Sequence, residues 1–269
     1  MTAGRRPPAA RLDNLSLRAQ LRVDRLPLRL LQMMAGLTGF GFSLALLLES
    51  GLGGAPWDVL HAALADRLGL TVGTLSVCVS FVLLLLWIPL RERIGIGTIA
   101  NSIWVGVSID LGMLVLPEAG GIATAVTMML GGVVLNGISG AVYIGAQLGA
   151  GPRDGLMTGL GRVLSRPVGP VRIALEVIVL ATGTLLGGPL GVGTVVYALG
   201  LGPIIQLTLP HVTLRVRTLA GRPVLVPPAS AVGDGSVAEP AAPVVVTEQA
   251  GPAEGPEPLP APGSAQRRP

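Results

Sequence analysis

The chain has 269 residues, of which 50% are apolar and 13% are charged, with a mean hydropathy of +0.68. Soluble domains carry about 25% charged residues, so this composition excludes an ordinary soluble enzyme and is typical of a membrane protein. The pI near 10.5 raises the question of a nucleic-acid partner. However, the arginines adjoin apolar segments, where they meet lipid headgroups and set orientation. We therefore predict a lipid bilayer as partner and no nucleic acid.

Six apolar segments are long enough to cross a bilayer as α-helices, which takes about 20 residues each. They are predicted at Leu28–Leu48, Val72–Leu90, Gly97–Leu116, Ile122–Leu148, Val168–Leu186 and Val192–Leu209. Helices are required because a segment in lipid must satisfy its own backbone hydrogen bonds. The predicted fold is an all-α integral membrane protein. Its body is preceded by a basic segment (1–27) and followed by a Pro/Ala-rich tail (211–269) that is expected to be disordered.

The arginines predict the orientation of these helices, because cytoplasmic loops of membrane proteins are enriched in basic residues. Arginines precede the first span, follow the second, lie between the fourth and fifth, and follow the sixth, whereas the loops at 117–121 and 187–191 contain none. This alternation fits six crossings at every loop, because Arg67, the one arginine expected outside, is accompanied by Asp58 and Asp66. We expect both termini on the cytoplasmic side of a bacterial inner membrane.

A duplication aligns residues 36–111 with residues 132–207 at an offset of 96 residues, and it divides the membrane body into a first repeat (28–116) and a second repeat (117–210). Pro56-Trp57-Asp58 aligns with Pro152-Arg153-Asp154, and the glycines and threonine of Gly95-Ile96-Gly97-Thr98 recur at 191–194. Each copy holds three spans, so the second copy enters the membrane inverted. Inverted repeats are common in transporters, with a site near the midplane where the copies meet. They also arise when duplication simply yields a stable bundle, and the sequence leaves both readings open.

A Pro-x-Asp motif predicts a short helix in each copy, over 56–68 and 152–164. Proline suits the first turn of a helix, and an aspartate there stabilises the positive end of the helix dipole. These helices are too short to span and are either interfacial or re-entrant. Accordingly, Asp58 and Asp154 either line a shared cavity or cap their helices at the membrane surface.

Polar side chains inside the spans supply the other site candidates, because they are costly in hydrocarbon and tend to face the bundle interior or water. Arg172 and Glu176 lie four residues apart and can pair. A stripe from Asn136 to Gln147 either lines a path or bonds neighbouring helices. His61 is expected near an interface, where water satisfies it. The complete set of substrate-path candidates is Asp58, Asp154, Arg172, Glu176, Asn136, Ser139, Tyr143, Gln147, Asn101 and Asp110.

Several motifs together resemble the YczE/YyaS/YitT group of bacterial membrane proteins, and its YczE branch most closely. They are Gly53-Gly54-Ala55-Pro56-Trp57-Asp58-Val59-Leu60, Thr71-Val72-Gly73-Thr74, Ile94-Gly95-Ile96-Gly97-Thr98-Ile99-Ala100-Asn101, and the segment from Gly106 to Asp110. The resemblance covers residues 28–210. It implies a multi-pass protein of the bacterial inner membrane, and it supplies no catalytic residues.

The sequence has no metal-ligand spacing, no phosphate-binding motif and no Ser/His/Asp order that defines an active site. We therefore expect no metal, no cofactor and no enzymatic activity. We predict a small-solute permease in which two inverted three-helix halves rock around a polar site. The alternative is a non-transporting membrane scaffold or regulator of an enzyme system. The identity of the solute and the formation of a homo-oligomer stay open.

Overall fold

The computed structural model describes residues 20–214 and the backbone of residues 218–219 and 222–223. These residues contain eight α-helices in the following order: α1 (Leu26–Glu49), α2 (Pro56–Leu68), α3 (Val72–Leu90), α4 (Ile96–Val115), α5 (Ile122–Gly145), α6 (Pro152–Val163), α7 (Val168–Leu185) and α8 (Val192–Val212). All but α2 and α6 are long and apolar enough to cross a membrane. The six predicted spans and the two short helices are thus confirmed.

The segments that flank the membrane body are only partly described. Residues 1–19 of the predicted basic segment lie outside the described residues. In the tail predicted to be disordered, α8 ends at Val212, and the strands β1 (Thr218–Leu219) and β2 (Arg222–Pro223) pair antiparallel. The other residues after 214 lie outside the described part of the chain.

Local chemistry determines where the short helices begin and end. Pro56 and Pro152 occupy the first turns of α2 and α6, where the missing N–H of proline has no intrahelical partner to lose. Gly69 follows α2 with a φ of 65°, a left-handed conformation that glycine adopts without a Cβ clash. The Thr71 hydroxyl then accepts a hydrogen bond from the Thr74 N–H and caps the start of α3.

Large apolar side chains cover the outer surface of the bundle. Leu85 and Ile88 on α3, Leu114 on α4, Leu185 on α7 and Leu199 on α8 are all exposed. Such a surface is costly in water, whereas lipid tails are as apolar as leucine. The bundle is therefore a membrane protein, as its composition predicts.

The helices form two groups, each with its own core. The first, here called the scaffold group, consists of α1, α4, α5 and α8, and its core includes Leu37, Ile109, Val133 and Leu201. The second, here called the short-helix group, consists of α2, α3, α6 and α7, and its core is Trp57, Leu83, Leu156 and Val179. Each group takes two helices from residues 28–116 and two from residues 117–210. The two halves of the chain are therefore interleaved.

This interleaving corrects the expectation that one three-helix half rocks against the other. The most extensively packed pair of helices is α1 with α5, which come from opposite halves. Gly36 of α1 faces the backbone of Ser139 and Tyr143, and Gly132 of α5 faces Leu47. The early residues of each helix thus meet the late residues of the other, so the pair is antiparallel. Moving the halves as rigid bodies would break the scaffold core.

The two halves differ in how their last two spans meet. The α3–α4 seam is closed, because a Cβ on Gly73 would lie 2.1 Å from the Gly106 carbonyl oxygen, and one on Gly106 would lie 2.4 Å from that of Gly73. Gly169 and Gly202 hold the same positions 96 residues later. A Cβ on either would meet no described atom within 4 Å, and α7 does not pack closely on α8. The α7–α8 seam is therefore open.

Candidate functional site

A cavity of about 140 Å³, lined by apolar side chains and by several charged and polar ones, lies between the scaffold group and the short-helix group. All eight helices contribute to its wall. Its charged lining residues are Arg153, Asp154, Arg172 and Glu176. The space is large enough for several waters or a small solute.

The first turns of both short helices reach this cavity. Pro56 and Trp57 of α2, and Arg153 and Asp154 of α6, lie in its wall, while the far ends of both helices are exposed. The N-terminus of a helix carries a positive partial charge. The cavity is therefore bordered by two positive helix ends as well as by charged side chains of both signs.

Arg153 connects the starts of the two short helices. Its guanidinium carbon lies 5.2 Å from the centre of the Trp57 ring, within the range of a cation–π interaction. One of its terminal nitrogens lies 3.8 Å from Oδ1 of Asp58. The sequence placed Arg153 among the cytoplasmic loop arginines, whereas the structure places it in the cavity wall.

Asp58 lies behind the cavity wall, next to His61. Both side chains are about 1% exposed, and Nδ1 of His61 lies 3.4 Å from Oδ1 of Asp58. The expectation that His61 meets water at an interface is therefore wrong. His61 lies one turn after Asp58, on a face of α2 that is buried because α2 packs against both α3 and α7.

Arg172 and Glu176 form an ion pair on α7, with Nε 2.9 Å from Oε1. Their side chains are 49% and 28% exposed, so both stay accessible from the cavity. Ser76 and Ser80 hold the corresponding positions on α3 and also line the cavity. The part of the wall formed by α7 therefore carries charges, and the part formed by α3 carries hydroxyls.

The polar stripe on α5 mostly joins helices. The Asn136 side chain donates to the Ser43 hydroxyl at 2.7 Å and accepts from the Tyr197 hydroxyl at 3.1 Å. Ser139 is buried and packs against Gly39 of α1. Within this stripe, Tyr143 is the residue that lines the cavity. Gln147 follows the end of α5 with a φ of 58° and is not part of the cavity wall.

The two candidates on α4 have different positions. Asn101 lines the cavity. Asp110 lies away from it and accepts hydrogen bonds from the Gly73 N–H at 2.8 Å and the Thr71 hydroxyl at 2.6 Å. Asp110 therefore caps α3 and holds the α3–α4 seam closed.

The cavity contains residues that the sequence analysis did not select, chiefly Arg153, Trp57 and Tyr197. Arg153 and Trp57 stand between the proline and the aspartate of the repeated motif, so their position next to Asp58 and Asp154 was a usable signal. The chain has only two tyrosines, and both line the cavity. No local pattern in the sequence distinguishes Tyr197, because its partner Asn136 is 61 residues away.

Comparison with known proteins identifies the family of this chain. The uncharacterized membrane protein YczE of Bacillus subtilis (strain 168) is 36% identical over 191 residues, which is 70% of this chain and 88% of the relative. An uncharacterized protein of Haemophilus influenzae (strain ATCC 51907 / DSM 11121 / KW20 / Rd) is 34% identical over 186 residues, 67% of this chain and 85% of the relative. The uncharacterized protein YyaS of B. subtilis is 27% identical over 182 residues, 66% of this chain and 90% of the relative.

No solved structure matches the chain. The family DUF6198, described as a family of unknown function, matches residues 27–210, which cover the six spans except for the outermost residues of the first and the last. The predicted resemblance to the YczE and YyaS proteins is confirmed, and the chain belongs to the DUF6198 family.

Proposed function

We propose that the protein is a permease for a small polar solute that carries groups of both charges. The observation that supports this most is the cavity between the two helix groups, where Arg153, Asp154, Arg172 and Glu176 meet inside an apolar body. Charged groups inside a membrane are costly and are typical of substrate and ion pathways. The carboxylates would hold a cationic group of the solute, and the guanidinium groups an anionic one.

In this proposal the two halves are inverted repeats related by an axis in the membrane plane. An exchange of hydrogen bonds supports it. The Gly97 N–H donates to the Leu148 carbonyl at 2.8 Å, and the Gly193 N–H donates to the Leu52 carbonyl at 2.7 Å. In the repeat, Gly97 corresponds to Gly193 and Leu148 corresponds to Leu52. The donor and the acceptor of one bond are therefore the repeat equivalents of those of the second bond. The antiparallel packing of α1 on α5 agrees with an inversion.

A packing contact between the short helices and the spans repeats in the same way. Gly155 of α6 faces the Trp87 side chain, and Gly183 of α7 faces the backbone of Val59 and Leu60 in α2. The offset of 96 residues relates Trp87 to Gly183 and Val59 to Gly155. In the first contact the glycine is on the short helix and the large side chain is on the span. In the second contact the glycine is on the span and the larger residue is on the short helix. We take α2 and α6 to be re-entrant helices that enter the membrane from opposite sides.

In this proposal, the protein alternates between a state in which the α3–α4 seam is closed and a state in which the α7–α8 seam is closed. The described state has the α3–α4 seam closed and the α7–α8 seam open. Because repeated units can adopt each other's arrangement, the second state would close Gly169 on Gly202 and separate Gly73 from Gly106. Gln206 occupies the position of Asp110, and its side-chain oxygen would accept the Gly169 N–H. The short-helix group moves against the scaffold group in this cycle, so the two cores stay intact.

A transport assay tests this proposal. Wild-type protein in liposomes is expected to take up members of a labelled amino-acid panel, since these solutes carry both charges. The Glu176→Ala variant should reduce uptake about tenfold or more, because a hydrogen bond between charged groups contributes about 1.5–3 kcal/mol.

The control is Glu118→Ala, which removes an exposed carboxylate from the loop between α4 and α5. It should leave uptake unchanged. Equal uptake by wild-type and protein-free liposomes, across zwitterionic, anionic and neutral panels, would favour the scaffold or regulator instead.

Both termini are proposed to face the cytoplasm of a bacterial inner membrane. Arg29 near the start of α1 binds the Ala146 carbonyl at the end of α5. Arg162 near the end of α6 binds the Leu90 carbonyl at the end of α3 and pairs with Glu92. Basic residues therefore gather where these helix ends meet, as they do on the cytoplasmic side of membrane proteins.

Reporter fusions test this orientation. A periplasm-active phosphatase inserted between Gly187 and Gly191 should be active, and the same insertion between Arg91 and Arg93 should be inactive. A cytoplasm-active reporter at the same two places should give the opposite result. Activity of one reporter at both positions would contradict the inverted arrangement of the two halves.

A further inference from the structure

The pair formed by Asp58 and His61 has an unusual set of contacts for a buried site. Both oxygens of Asp58 and both ring nitrogens of His61 are buried without a hydrogen-bond partner among the described residues. Oδ1 of Asp58 lies near two basic groups at once, Nδ1 of His61 at 3.4 Å and the Arg153 guanidinium at 3.8 Å. One carboxylate oxygen therefore faces two competing partners, one of which can change its charge.

We propose that His61, held against Asp58, takes up one proton from water and that this uptake releases Arg153 from Asp58 into the cavity. This inference rests on the proposed permease function, for which the proton would be the coupling ion. Histidine suits the role, because its ring gains a charge when it takes up a proton. Burial lowers the pKa of His61, so the proton is taken up only in acidic conditions.

The charge balance gives the direction of the change. Without the proton, Asp58 is negative, His61 is neutral, and Arg153 supplies the positive partner. Uptake makes the Asp58–His61 pair neutral overall, so Arg153 loses its buried counter-charge. The other charged groups of the cavity are Asp154 on α6 and the Arg172–Glu176 pair on α7. Asp154, Glu176 or an anionic group of the solute would then hold Arg153.

Asp154 on α6 and Glu176 on α7 are the carboxylates that line this region, and His61 is the histidine next to it among the described residues. The cavity wall has the hydroxyls of Ser76 and Ser80 on α3 and the phenol of Tyr197 on α8. In the second half of the chain, Met157 holds the position that corresponds to His61. Asp154 therefore lacks an equivalent histidine, and the aspartate–histidine pair is present on only one of the two short helices. This asymmetry would let a proton gradient favour one direction of transport.

The test uses Trp57 as the probe, because Arg153 lies over its ring. The chain has three tryptophans, so Trp87→Phe and Trp104→Phe leave Trp57 as the sole emitter. Its fluorescence in lipid nanodiscs should show one transition on acidification, below the usual range of histidine, because burial lowers the pKa of His61. The transition should be lost in His61→Gln and in Asp58→Asn. His211→Gln replaces the other histidine of the chain, at the end of α8, and should leave the transition unchanged.

An unchanged transition in the His61→Gln variant would overturn the proposal, as would emission that is independent of pH in the parent protein. If Asp58→Asn does not fold, His61→Gln decides alone, because glutamine resembles a neutral imidazole in polarity. Should the double tryptophan variant not fold, the wild-type protein is compared with His61→Gln. The titration needs no solute, so absent uptake with an intact transition would refute the permease and leave the proton site standing.

Discussion

Alanine at Gly169 or Gly202 is expected to leave the folded protein as stable as wild type while solute uptake falls by about 5- to 150-fold. Both positions are open in the described state, so an added methyl group meets no neighbour there. In the state that closes the α7–α8 seam, the same methyl group would enter a glycine contact like that of Gly73 with Gly106. Overpacking costs about 1–3 kcal/mol, which would depopulate that state by the stated factor.

The matched controls are Gly73→Ala and Gly106→Ala, which add the same methyl group to the closed α3–α4 seam. They should lower the free energy of unfolding of the described state by about 1–3 kcal/mol. Stability is measured by thermal unfolding in detergent, and uptake is measured in proteoliposomes. Normal uptake by Gly169→Ala and Gly202→Ala would show that the α7–α8 seam does not close during transport.

Replacement of Arg29 by methionine is expected to cost about 3 kcal/mol of stability. Arg29 is fully buried and donates to the carbonyl oxygens of Ala146 and Leu214, both at 3.1 Å. It also pairs with Asp24 at 3.5 Å. Methionine has a similar length but no donor, so it leaves buried acceptors and a carboxylate without their partner.

Denaturant unfolding followed by circular dichroism measures this effect. Arg22→Met is the control, because Arg22 is exposed four residues before Leu26; it should change stability little. The Arg29→Met variant should also loosen the contact between α1, the end of α5 and Leu214, and so increase proteolysis of the chain after α8. Wild-type stability of Arg29→Met would show that these carbonyls find other partners.

The helices could be predicted from the sequence because their causes are local. Length and apolar content determine which segments cross the bilayer, and a proline with an aspartate two residues later marks the start of each short helix. The ion pair between Arg172 and Glu176 could also be predicted from their spacing, since residues four apart on a helix are neighbours. Each of these features depends on residues within one or two helical turns.

The grouping of the helices could not be predicted in this way. Hydropathy identifies α1 as a span but does not say that it packs on α5 rather than within its own half. Arg29 illustrates the difficulty. The sequence indicated a surface arginine that sets orientation, whereas its partners Ala146 and Leu214 lie 117 and 185 residues away. His61 was misplaced for the same reason, because its burial depends on α3 and α7.

The interleaving of the two halves has a consequence for how the chain is made. Helices enter the membrane in order of synthesis, so α1 and α4 are inserted before α5 and α8 exist. The hydrophobic core that these four share therefore stays incomplete until the ribosome has passed residue 212. Until then, the surface of α1 that contains Gly36 and Gly39 and later packs on α5 is covered by lipid or by the insertion machinery. Neither half is an independent folding unit, although the two descend from one ancestral sequence in the proposed duplication.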